Sequence, residues 1–99
     1  MMISLEELLE WKESGSFPDD IPDLIKALLL ESSGDWDRAH QIAQNVITSD
    51  GSWVHAYLHR VDGDLGNASY WYRSAGKKVP EVSPDEEWEY IALHLLKKS

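Results

Sequence analysis

Apolar residues recur at three- and four-residue spacing through six stretches, and no stretch alternates as a half-buried strand does. Ser4-x-x-Glu7 forms a capping box ahead of Leu5, Leu8 and Leu9, which share one helical face, and Gly15 stops that helix. Pro22 suits a first helical position, with Asp20 or Ile21 before it. Leu24, Ile25, Leu28, Leu29 and Leu30 then run around most of the circumference, the pattern of a central, buried helix. Gly34 stops it and Asp35 caps the next, whose inner face carries Trp36, Ala39, Ile42, Ala43 and Val46. "TSDGS" reads as a loop. Trp53, Val54, Tyr57, Leu58 and Val61 line a fourth helix that ends at Gly63, and Asp64 caps a fifth with Leu65, Ala68, Trp71, Tyr72 and Ala75. Gly76 ends the fifth helix, and "KKVPEVSP" is a Pro-bearing connection. Ser83-Pro84-x-Glu86 opens the last helix, with Trp88, Ile91, Ala92 and Leu95 facing in. The pattern predicts an all-α fold of about six helices.

An internal repeat organises the middle of the chain. "GDWDRAH", residues 34–40, matches "GDLGNAS", residues 63–69, as Gly-Asp-x-x-x-Ala at a 29-residue offset. Each unit is helix, tight Gly-Asp turn, helix, and helices joined so tightly pack antiparallel. Ala39 and Ala68 sit one turn into each second helix, where a bulky side chain would hold the pair apart. The expectation is two hairpins with an extra helix at each end. The polar residues Lys12, Glu87 and Lys97 on the terminal helices favour their capping the stack over docking on a second copy.

"DLGNASYWYRSAG" resembles the second helix of the tetratricopeptide superfamily, most of all its Sel-type variant, in Asp64, Ala68, Trp71, Tyr72, Arg73 and Ala75. The 29-residue offset is shorter than the usual tetratricopeptide period, and "GDWDRAHQIAQ" keeps only the cap and the alanines. The chain also resembles a group of small uncharacterised proteins with "GDWDxAH", "WVHAYLHR" and "GDxxNAxYWYRxAG", found here at residues 34–40, 53–60 and 63–76. That group supplies no activity. The superfamily resemblance implies tetratricopeptide-like hairpins and a scaffold that binds peptides or other subunits.

Length and charge narrow the partners. Ninety-nine residues suit a single domain, 1–99, and 42% hydrophobic content supports a core. Eighteen acidic against nine basic side chains give a formal charge of -9. That balance repels phosphate backbones and anionic lipid, so neither nucleic acid nor membrane is expected, while protein or peptide partners, basic peptides among them, are. The same repulsion points to a monomer or weak homodimer. With no cysteine there is no disulfide framework, thiolate metal site or thiol nucleophile. "MMISLEELLE" carries acids where a signal peptide carries Lys or Arg, and "LIKALLL" is too short to span a bilayer. A cytoplasmic protein is the expectation.

Candidate chemistry concentrates in residues 52–76. His55 and His59 stack on one helical face, and Asp62 falls on the same stripe seven residues after His55. Two imidazoles and a carboxylate at that spacing can ligate a divalent transition metal; otherwise they are partly buried histidines bonded to a neighbouring helix or to backbone carbonyls. Ala56 stands where a zinc protease of the His-Glu-x-x-His type needs its base. His40 becomes a third nitrogen ligand only if its hairpin turns that way, and His94 lies on a polar side. Tyr70 points about 160° from Tyr72 on an ideal helix. With Arg73 it makes an outer strip of interface chemistry or a solvated face. Asn67 lies beside Trp71, within reach of the fourth helix, and Arg60 stacks on an aromatic ring or pairs with an acid. No phosphate loop or nucleophile elbow is present. The acids of "SPDEEWE" suit a first helical turn. The leading reading is therefore a non-catalytic interaction module without a cofactor, using His55, His59, Asp62 and Asn67 or the Tyr70-Arg73 strip. The alternative is a small metal binder or metal-dependent enzyme using His55, His59 and Asp62, with His40.

Overall fold

In the computed structural model, which describes residues 3–98, the chain forms six helices: α1 (Leu5–Ser14), α2 (Asp23–Ser32), α3 (Trp36–Asn45), α4 (Ser49–Val61), α5 (Leu65–Ser74) and α6 (Pro84–Lys98). No strand occurs among the described residues. The α4 helix is central: it packs against α5, α3, α6 and α2, while α1 rests on α2 and α6. Its middle, Trp53 to Leu58, is buried on every side. The six buried residues of α2 explain the apolar sweep around that helix. Among the described residues no helix is long and apolar enough to cross a membrane.

The two Gly-Asp turns match bond for bond. Gly34 and Gly63 take positive φ, 96° and 82°, where a side chain would be strained. The Asp35 amide donates to the Leu30 carbonyl at 2.8 Å, and the Asp64 amide to the His59 carbonyl at 2.9 Å. Each Asp side chain then accepts from the backbone amide three residues on, Arg38 and Asn67, at 3.3 Å. Both aspartates are caps, as their position before a helix predicts. Ala39 and Ala68 are fully buried, so the helices of each pair approach closely.

Three expectations change. Pro22 is the N-cap of α2, one residue earlier than its ring alone suggests. "TSDGS" is no loop: Thr48 caps α4 by accepting from the Gly51 amide at 3.0 Å, and the helix begins at Ser49. Gly51 is buried in that first turn, and a Cβ there would stand 1.9 Å from the Val46 carbonyl oxygen. This contact lets only residues 46–48 join α3 to α4. The third change is Glu87, which is buried and not part of a polar face. It falls four and eight residues before Ile91 and Leu95, so the α6 register points it inward. Its carboxylate accepts from Trp53 Nε1 at 3.1 Å, Arg60 Nη1 at 2.9 Å and the Tyr72 hydroxyl at 2.7 Å. Arg60 also donates to the Val82 carbonyl. Trp88, beside Glu87, is buried as well and donates to the Leu28 carbonyl at 3.1 Å. The terminal helix α6 is thus a core element tied to α2, α4 and α5.

Candidate metal centre

The packing of α3 on α4 decides which histidines meet. His40 lies one turn after Trp36 on α3; His55 and His59 lie one turn apart on α4. Across the interface the three imidazoles offer one ligand atom each, all within 4.8 Å of one another. The His40 ring meets His55 edge-on at 4.6 Å between centroids and His59 at 5.2 Å. His55 and His59 are 4.9 Å apart, near parallel.

Two tryptophans hold this group. Trp36 donates Nε1 to the Leu58 carbonyl at 2.7 Å, which fixes its indole. That indole stacks on His40 at 4.8 Å and meets the edge of His59 at 5.8 Å. Trp71 of α5 stacks on His55 at 4.0 Å with planes 14° apart. The imidazoles therefore have fixed faces. Their nitrogens do not have fixed partners: none of the three rings makes a hydrogen bond to another described residue. The Nδ1 atom of His59 is buried without one. A buried polar atom left unpaired costs about 1–3 kcal/mol, so such atoms are few in folded proteins and call for a reason.

Burial favours the neutral form of His55 and His40. Burial pushes the His55 imidazole down to about 4, and repulsion from His40 and His59 adds to the effect. His40 is lowered too, by burial and then by His59, with Asp37 pulling the other way. Neutral imidazole is the form that ligates a metal. The residues fit one sterically. Metal–nitrogen bonds of about 2.0–2.1 Å put tetrahedral ligand atoms about 3.3 Å apart, so the widest pair must close by roughly 1.5 Å. Rotation of the half-exposed His40 side chain would have to supply that movement.

The remaining candidates fall outside this group. Asp62 is the exposed C-cap of α4, beyond the end of the stripe that carries His55 and His59. Asn67 does not cross to α4; its Nδ2 donates to Asp64 at 2.7 Å and reinforces the cap. Tyr70 is 58% exposed and lines a shallow cleft with Arg73 and Ser74 on the outer side of α5. His94 bonds to Asp50 at 2.8 Å, and Lys98 reaches the same carboxylate at 3.0 Å. Burial alone would raise Asp50, but these two bonds outweigh it and hold the carboxyl low.

No protein-family model, curated protein or solved structure matches this chain. Sequence reasoning put His40 in the group only conditionally, because nothing along the chain says how one hairpin faces the other. Its signal is its place one turn after Trp36, on the edge of an apolar stripe.

Proposed function

We propose that the protein is a small helical metal-binding protein in which His40, His55 and His59 hold one divalent transition metal. The convergence of three imidazoles from two helices, with a buried and unpaired His59 Nδ1 among them, carries this reading. All-nitrogen donors suit zinc, copper, nickel or cobalt over calcium or magnesium, which prefer oxygen. Asp62 is not needed as a ligand. The test is metal analysis and zinc titration calorimetry on protein purified without a histidine tag. One equivalent per chain is expected, lost in His59→Ala. Absence of binding in the folded parent protein refutes the reading.

A second reading, a tetratricopeptide-like interaction module, is supported by the exposed Tyr70 beside Arg73 and by the paired hairpins. Its occupant would be a basic peptide drawn by the net charge of -9. Tyr70→Ala should then weaken capture of such a peptide without lowering stability. In both readings the protein acts in the cytoplasm as a monomer or weak homodimer.

A further inference from the structure

Resting on the metal reading, we infer that the centre is an open site, with three protein ligands and a remaining position that takes a small exogenous anion or water. The three histidines are the whole group that geometry brings together among the described residues. The acids nearest in the chain have other places. Asp64 accepts both bonds from Asn67 as a helix cap. Asp37 and Asp62 are exposed, and neither brings an oxygen into the group. The two indoles that cover the imidazole faces offer no lone pair on nitrogen, and that of Trp36 already donates to Leu58.

Three ligands alone do not complete a zinc-type coordination shell. Structural sites are closed by four protein ligands, and sites that work on a bound molecule keep one position free. Charge favours an anion there. Three neutral imidazoles leave the full charge of a dication uncompensated, unlike a thiolate or carboxylate set. A cleft of about 140 Å³ runs between the α3–α4 connection and α5, and of the three histidines it reaches His55 alone, beside Trp71, Ser52 and Ser74. His40 is itself half-exposed. Water on zinc in an open site ionises near pH 7, so a zinc ion held by these histidines would supply a Lewis-acid centre for small oxyanions or carbonyl compounds.

Cobalt(II) is the probe, because its visible absorption reports ligand number and exchange. The full-length protein is loaded with cobalt and titrated with azide, alongside the Asp62→Asn variant. The expected result is a saturable spectral change of the same size and midpoint in both proteins. Cobalt that binds but whose spectrum azide leaves unmoved in the parent overturns the open position while leaving the metal reading intact. Azide binding only in Asp62→Asn overturns it in another way, by showing that the exposed carboxylate swings in as a fourth ligand. If neither cobalt nor zinc binds the folded parent, both readings fall.

Discussion

Replacing Glu87 by Ala should be among the most damaging single changes in this protein. The side chain is 2% exposed and opposes Arg60, itself 15% exposed. Truncation leaves the guanidinium with the Val82 carbonyl alone, and strips the partner from Trp53 Nε1 and from the buried Tyr72 hydroxyl. Breaking a buried ion pair from one side costs about 3–5 kcal/mol. A domain of this size has on the order of 5–15 kcal/mol in total. Urea unfolding followed by tryptophan fluorescence reads the loss directly. With a urea slope of roughly 1.5 kcal/mol/M, the midpoint should fall by about 2–3 M. Glu87→Gln keeps the volume and one acceptor and should fall between Ala and the parent. The double change Glu87→Met with Arg60→Met removes both charges and should recover part of the loss, because matched apolar replacement of a buried pair is often neutral. It cannot recover all of it, since the Trp53 and Tyr72 donors stay unpaired. A midpoint for Glu87→Ala within about 0.5 M of the parent is the effect of a surface substitution and would refute the buried network.

Further outcomes follow from the same contacts. Gly51→Ala raises intrinsic helix propensity by about 1 kcal/mol, yet its Cβ meets the Val46 carbonyl. The melting temperature should drop, and a rise would show that α3 and α4 do not approach there. Ala68→Leu should cost roughly 1–3 kcal/mol by overpacking the α4–α5 contact, read as a lower urea midpoint. An unchanged midpoint would leave that contact unsupported. Metal-free protein should lose stability on acidification. His55 is held neutral at about 4 in the fold against 6.5 free, so below pH 6.5 the unfolded chain takes up a proton that the folded chain refuses. The loss runs between pH 6.5 and 4, is absent above it, and amounts to about 3 kcal/mol for this group. Urea midpoints in chelator at pH 7.5 and pH 4.5 measure it; equal histidine contributions at both, judged against His55→Phe, would contradict the burial.

The fold was largely legible because its rules are local. Helix starts at Ser4, Asp35, Asp64 and Ser83, and stops at Gly15, Gly34, Gly63 and Gly76, depend on a few neighbouring residues. The misreadings have non-local causes. "TSDGS" has loop composition, and only the Val46 carbonyl just past α3 explains why glycine fits that place in a helix. Glu87 looks like a surface acid until Arg60, Trp53 and Tyr72 are seen converging from α4 and α5. At the candidate site, His55 and His59 were paired by helical spacing alone. Asp62 met the same spacing but lies past the helix end, and His40 entered through the packing of one hairpin on the other.

The place of α6 in the core also sets the order in which the protein can be made. Residues 5–76 hold both hairpins, and they emerge from synthesis first, yet Arg60, the Leu28 carbonyl and the Tyr72 hydroxyl all wait for partners on the last fifteen-residue helix. Until Trp88 and Glu87 arrive, the hairpins present an open apolar face with a charged guanidinium beside it. Such a chain gains little from folding in stages as it is made. The bond from Trp88 to Leu28 spans 60 positions, so the core around the hairpins closes only once α6 has followed them out of synthesis.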